Sequence, residues 1–145
     1  MLVRLALALL LVTLVGVQEA AAQGIDLSKT LVGTWKGEVQ MASGTYPRTL
    51  IIKSVEVSGR RAVADAQYGG SGGYGGPSGT TLEPVDLQIE HSSSGVLLRF
   101  RAEDLSPVEL SLYRDGQHLM GSVLAPSIAR GGARTPAPIK LQKVE

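Results

Sequence analysis

The chain has 145 residues, a formal net charge of +1 and no cysteine. This charge balance provides no basic field that would attract nucleic acid, so we expect no nucleic-acid partner. Without cysteine the chain has no disulfide, no thiol nucleophile and no cysteine-based metal site. A domain of this size without disulfides depends on its apolar core for stability.

The N-terminal segment predicts an export signal. Arg4 precedes an apolar run over residues 5–17, which is shorter than the roughly 20 residues of a transmembrane helix. Three alanines ending at Ala22 supply the small residues at which a signal peptidase cleaves. We therefore predict a signal peptide over residues 1–22, cleavage after Ala22, and a single periplasmic or secreted domain over residues 23–145 without a transmembrane segment. An uncleaved membrane anchor is the alternative.

Eight segments of the mature chain alternate apolar and polar residues with a period of two, as half-buried β-strands do. A short turn over residues 26–30 is the only helical candidate. Along the second segment the apolar residues change from one face of the strand to the other, which predicts a bulge near Lys53 and Ser54. The predicted strands span residues 31–40, 48–57, 60–68, 82–91, 95–102, 108–113, 117–124 and 138–144.

The connections between these strands alternate in length, and successive connections of an up-and-down sheet lie at opposite ends. Glycine-containing short connections therefore predict a closed end, and long connections predict a mouth, where binding residues are usually carried. The pattern predicts an all-β fold, an eight-stranded up-and-down antiparallel barrel. The short connections are 58–59, 92–95 and 115–116, and the long ones are 41–47, 69–79, 103–107 and 125–135.

The first strand opens on Gly33-Thr34-Trp35, directly after the short turn. This resembles the Gly-x-Trp signature of lipocalins and of the wider calycin-type barrels, and the chain is similar to a short, bacterial, lipocalin-like secreted protein. The resemblance implies an eight-stranded barrel whose tapering closed end is filled by the tryptophan. It also implies a basic side chain stacked on that ring, for which Lys140 and Lys143 are candidates. Avidins share the opening but need further tryptophans, so biotin binding is not expected.

Several weaker matches do not indicate catalysis or cofactor binding. Residues 69–73 match the Gly-x-Ser-x-Gly pattern of serine hydrolases and residues 70–75 match a dinucleotide-binding pattern, but both patterns require a following helix and none is predicted. His91 and His118 are predicted at the closed end on strands that are not neighbours, which does not predict a zinc site. We therefore predict no catalytic residue, no metal site and no cofactor, and a protein that is not an enzyme.

The mouth is where we predict ligand-binding residues. Tyr46, Tyr68 and Tyr74 are the predicted contact residues, the last within a glycine-rich loop that could act as a lid. Arg130 and Arg134 flank a glycine pair in the last long connection and could recognise a carboxylate or phosphate head group by bidentate contact. A solubilising loop is the alternative interpretation of these arginines.

Four small residues lie on the inward-facing side of the predicted strands, and they are compatible with two different functions. If Gly37, Ala64, Ala66 and Gly121 leave volume unfilled, the barrel holds a small apolar or amphipathic ligand. If they only complement larger neighbours in a tapered core, the barrel is filled. The protein would then be a structural or interaction protein of the cell envelope, with a protein or polymer as its partner.

Overall fold

The computed structural model describes residues 26–71, 81–102, 106–125 and 134–144. The elements are α1 (Leu27–Leu31), β1 (Gly33–Met41), β2 (Gly44–Ser58), β3 (Arg61–Gly70), β4 (Thr81–Ser92), β5 (Gly95–Arg101), β6 (Pro107–Leu112), β7 (His118–Ala125) and β8 (Thr135–Val144). Each strand pairs antiparallel with the next, and β8 pairs with β1 to close the barrel. The predicted all-β, up-and-down, eight-stranded barrel is therefore confirmed, and its form is consistent with a lipocalin-like fold.

The described residues of the predicted domain all belong to the barrel, to α1 or to the connections between these elements. The predicted signal peptide over residues 1–22, with its cleavage point after Ala22, lies outside the described residues. No helix in the described part of the chain is both long and apolar enough to cross a membrane.

The core lies inside the barrel because each strand turns every second side chain inward. Seven of the eight strands contribute a side chain with no exposed surface, and β3 contributes Ala62 and Ala66, which are 2% and 1% exposed. Each large apolar side chain buried in this way contributes roughly 1.5–3 kcal/mol, which explains how the barrel is held without disulfides. The side chains with no exposed surface are Leu31, Trp35, Val39, Leu50, Leu87, Leu98, Leu110, Leu119 and Leu141.

We call the end of the barrel that carries α1 the base, and the opposite end the mouth. The β2–β3, β4–β5 and β6–β7 connections lie at the base, and the strand ends that the other four connections join lie at the mouth. The β2–β3 turn consists of Gly59 and Arg60, one residue later than predicted, because Ser58 still pairs with Arg61. Gly59 has a φ of 63°, which favours glycine.

The β6–β7 connection is longer than the two-residue turn predicted at residues 115–116. The amide of Tyr113 donates to the carbonyl of His118 at 2.8 Å, and the amide of Gly116 donates to the carbonyl of Tyr113 at 3.0 Å. The side chain of Asp115 accepts from the amide of Gln117 at 2.8 Å. This aspartate-supported turn makes a wider loop stable, because it satisfies backbone donors that strand pairing leaves open.

The first connection also differs from the prediction. The β1–β2 ladder continues to the pair Met41 and Gly44, so the predicted long connection over residues 41–47 is wrong, as is the strict alternation of loop length. The φ of Gly44 is 143°, a conformation that side-chain-bearing residues rarely adopt and that lets the chain reverse within two residues. Tyr46 then lies opposite the buried Val39, which extends the strand pair towards the mouth.

The predicted bulge in β2 is confirmed, since the register with β3 shifts between Ile52 and Ser54. Of the two alternatives left open for the small inward-facing residues, free volume does not hold at Gly37 and Gly121. A methyl group on Gly37 would overlap the carbonyl oxygen of Lys140, and a methyl group on Gly121 would overlap backbone of β6. The neighbouring strands therefore occupy the place of the missing side chains, which lets the sheet bend sharply.

Two ladders stop before they reach the mouth. The β1–β8 ladder ends at the pair of Val39 and Ile139, next to Pro138, which has no N–H to donate. The β4–β5 ladder ends at the pair of Gln88 and Arg99, while β4 continues towards the mouth paired with β3. Grooves of about 580 Å³ and 610 Å³ lie over these two partings.

Candidate functional site

Two aromatic rings meet inside the barrel on the mouth side. The ring centres of Tyr68 on β3 and Phe100 on β5 are 4.8 Å apart, and the ring planes make an angle of 62°, an edge-to-face arrangement. The two residues are only 4% and 5% exposed. The predicted ligand contact Tyr68 therefore belongs to the core, where it lies beneath the mouth.

Arg134 precedes β8 and connects three parts of the mouth. Its Nη1 atom donates to the hydroxyl of Ser106 at 2.9 Å and to the carbonyl of Leu124 at 3.1 Å. Ser106 is 1% exposed, so this bond satisfies a buried hydroxyl. A guanidinium has five N–H donors, and Arg134 is exposed, so donors remain for an anionic group at the mouth.

The other predicted mouth residues have different surroundings. Tyr46 is half-buried, and its hydroxyl donates to the hydroxyl of Ser43 at 2.9 Å. Tyr74 and Arg130 lie outside the described residues. The described structure therefore brings Tyr46, Tyr68 and Arg134 to the same end of the barrel, where they contact different partners and not one another's.

Arg48 is a structural residue of the mouth that no sequence pattern predicted. Its Nη1 atom donates to the carbonyl of Pro47 at 2.7 Å and to the carbonyl of Ser71 at 3.3 Å, which fastens the chain after β3 to β2. No local pattern marks this residue, because Ser71 is 23 positions away in the sequence. The apolar alternation of residues 95–102 directs Phe100 inward, but nothing in the sequence links it to Tyr68.

The base is built around Trp35. This side chain is completely buried, and its Nε1 atom donates to the carbonyl of Leu31 at 2.9 Å. The ammonium of Lys143 lies 5.5 Å from the ring centre, within the range of a cation–π contact. Of the two lysines expected to stack on the ring, Lys143 occupies the position, whereas Lys140 lines the groove over the β1–β8 parting.

Charged groups on the outer face form a small ion-pair network. Arg99 donates to Glu109 at 3.0 Å and to Glu90 at 3.4 Å. The hydrogen bond to Glu109 raises the pKa of the Arg99 guanidinium above its usual value. All three side chains are about half exposed, so solvent screens these contacts and they add little to stability. Among the residues that the structure describes, no three acidic or histidine side chains come together as metal ligands would.

No model of a known protein family matches the chain, and no curated protein is similar to it.

Proposed function

We propose that this chain is an exported, non-enzymatic binding protein of the periplasm or extracellular space. In this proposal a lipocalin-like barrel recognises an envelope protein or polymer with its outer surface and its mouth, and does not enclose a ligand. The observation that carries the proposal is the packing of the barrel interior. A cavity large enough for a ligand exposes its lining to a water-sized sphere, yet nine side chains from around the barrel have no exposed surface at all.

A filled core limits recognition to surfaces that the barrel holds in place. The mouth provides the guanidinium of Arg134, fixed by its bonds to Ser106 and Leu124. The strands β1 and β8 are paired beneath the groove over their parting, and Gly37 and Gly121 let backbone of the neighbouring strands approach closely. Such a rigid frame reduces the conformational entropy lost when a partner binds.

A small ligand at the mouth is the second candidate, and the slight exposure of several inward-facing residues there supports it. Residues near the mouth are slightly accessible, unlike the sealed middle of the barrel. An apolar or amphipathic molecule could lie on the Tyr68–Phe100 pair, with its head group towards Arg134. The slightly accessible residues are Tyr68, Phe100, Val123, Ala125 and Ala137, which are between 4% and 8% exposed.

Native mass spectrometry of protein purified gently from its own envelope, followed by organic extraction, separates the two candidates. A filled barrel gives the bare protein mass, and a panel of lipids leaves its melting temperature unchanged. A co-purifying amphiphile of one mass that is lost in the variant Phe100→Ala, but kept in the variant Tyr113→Ala, would establish the mouth ligand instead. Tyr113 is a suitable control because it is 52% exposed next to the base loop.

Export and surface recognition have their own tests. We expect N-terminal sequencing of the natural protein to begin at Gln23, and a full-length cytoplasmic protein would contradict export.

Surface recognition is tested by a pull-down from envelope extract. One envelope component should bind to the wild type and to the variant Arg114→Glu in the base loop, but not to the variant Arg134→Glu. Equal retention by both variants would exclude Arg134 from recognition.

A further inference from the structure

A groove of about 520 Å³ lies at the base, at the opposite end from the proposed recognition surface of the mouth. It runs between the β2–β3 turn and the β4–β5 turn, and we call it the base groove. Its apolar lining includes Val96 and Leu112. Its polar lining residues are Arg60, Arg61, Glu90, His91, Ser92, Ser94 and Ser111.

The two arginines are carried on a turn that His91 holds in place. The backbone amide of His91 donates to the carbonyl of Arg60 at 2.9 Å. The Nε2 atom of the His91 ring lies 2.8 Å from the carbonyl oxygen of Gly59, and because a carbonyl only accepts, Nε2 carries the proton. Two bonds from one residue therefore fix the turn that bears Arg60 and Arg61, so the groove is organised before a ligand arrives.

Neither of these arginines forms an ion pair within the described structure, although Arg61 lies opposite Glu90 in the β3–β4 ladder. Across residues 26–71, 81–102, 106–125 and 134–144, neither the Arg60 nor the Arg61 side chain makes a hydrogen bond or ion pair. Glu90 is the one carboxylate that lines the groove among these residues, and it pairs with Arg99 at 3.4 Å. The groove therefore presents two guanidinium groups to solvent beside a carboxylate that has another partner.

Serine hydroxyls complete the polar lining on the β4–β5 turn. The hydroxyls of Ser92 and Ser94 lie 2.6 Å apart, and the amide of Ser94 donates to the Ser92 hydroxyl at 3.2 Å. We propose that the base groove binds a phosphate-type oxyanion between these hydroxyls and the guanidiniums of Arg60 and Arg61. Planar guanidiniums match the oxygen geometry of a phosphate, and a hydroxyl donates to its remaining oxygens.

The oxyanion is either free phosphate or the phosphate of a lipid head group, which share this chemistry. The test is titration of the purified protein with inorganic phosphate, followed by amide NMR signals of Arg61 and Ser94. A parallel experiment measures sedimentation with phosphatidylglycerol-containing vesicles against vesicles of phosphatidylcholine alone. Binding to phosphate identifies the free anion, and binding to the anionic vesicles alone identifies the lipid.

Variants distinguish a built site from general attraction. The double variant Arg60→Gln/Arg61→Gln should weaken binding by about tenfold or more, because each charged hydrogen bond contributes on that scale. The control Lys36→Gln/Lys140→Gln removes the same charge from the groove over the β1–β8 parting and should leave the affinity unchanged. Equal losses in both double variants would overturn the proposal, as would the absence of saturable binding to phosphate and to anionic vesicles.

A substitution that is expected to increase the affinity for the anion provides an independent check. Glu90 and Glu109 both contact Arg99, but of the two only Glu90 lines the base groove. Glu90→Gln removes a like charge from the site and should tighten binding by about twofold, the scale of an exposed charge interaction. Glu109→Gln should leave the affinity unchanged. A weaker affinity for Glu90→Gln would show that the anion does not lie in this groove.

Discussion

The ammonium group of Lys143 lies 5.5 Å from the centre of the Trp35 ring and donates to the carbonyl of Thr30 at 2.7 Å. It also donates to the carbonyl of Lys29 at 3.2 Å. One side chain therefore covers the buried indole and satisfies carbonyls in the last turn of α1, where a cation is favoured by the helix dipole. Lys143 joins the last strand, the first strand and the helix into one closed base.

Replacing Lys143 by methionine tests this connection. Lys143→Met keeps a long apolar stem but loses the cation–π contact and the bonds to α1, so we expect a loss of about 1–2 kcal/mol in the free energy of unfolding. Urea denaturation measures it. Lys140→Met, on the same strand but in an outer groove, should change stability by less than about 0.5 kcal/mol. Equal midpoints for Lys143→Met and the wild type would contradict the role.

The choice of lysine could have been made from the sequence. The apolar alternation of residues 138–144 directs Leu141 inward; Lys143, two residues later, lies on the same face of the strand, whereas Lys140 lies on the opposite face. The period-two pattern that predicted the barrel therefore also predicts which lysine reaches the ring. Which face of a strand a side chain lies on depends only on its position relative to its neighbours in the sequence. The fold class, the bulge near Ser54 and the position of α1 were therefore predicted correctly.

Other features depend on partners that are distant in the sequence. The polar stretch over residues 41–47 was predicted as a loop, but pairing with β1 makes most of it strand. Tyr68 and Phe100 are on strands that do not pair with each other. Their relative height depends on how far the strands are staggered around the barrel, and no single strand determines that stagger. The same holds for Arg48 and Ser71.

The Tyr68–Phe100 contact predicts a measurable coupling between the two rings. In a double-mutant cycle of Tyr68→Leu and Phe100→Leu, the double variant should be about 0.5–1.5 kcal/mol more stable than the sum of the single losses implies. Each single change removes the edge-to-face contact, so the second change has less to remove. Urea denaturation of the four proteins measures the coupling. Additive losses would show that the rings pack independently.

The bend at Gly121 predicts that even one methyl group is poorly tolerated there. A methyl group at this position would overlap the carbonyl of Glu109, and backbone cannot swing aside. We expect Gly121→Ala to lower the free energy of unfolding by about 1–3 kcal/mol or more. Gly59→Ala is the matched control, because Gly59 has a positive φ but no atom within 4 Å of the added methyl group. It should lose only about 1 kcal/mol. A smaller loss at Gly121 than at Gly59 would show that the neighbouring strand yields.

The β6–β7 loop predicts an acid-sensitive contribution to stability. The amide of Gln117 donates to the carboxylate of Asp115, and His118 Nδ1 lies 2.5 Å from it. Chiefly the bond from Gln117, and then the contact with His118, hold the pKa of Asp115 below its ordinary value of 3.8. Because the folded-state pKa is the lower one, this contribution is fully present above pH 3.8 and is lost as the pH falls through the folded-state pKa.

Asp115→Asn tests this acid dependence, since asparagine keeps an acceptor oxygen for the turn and removes the charge. We expect the variant to melt at a lower temperature than the wild type at neutral pH and to lose less stability than the wild type below pH 3.8. Melting temperatures across the acid range measure both effects. Asp65→Asn, which removes an exposed carboxylate from β3, serves as the control for the change in net charge. If Asp115→Asn and the wild type lose stability in parallel as the pH falls, the aspartate turn does not contribute to the acid response of the barrel.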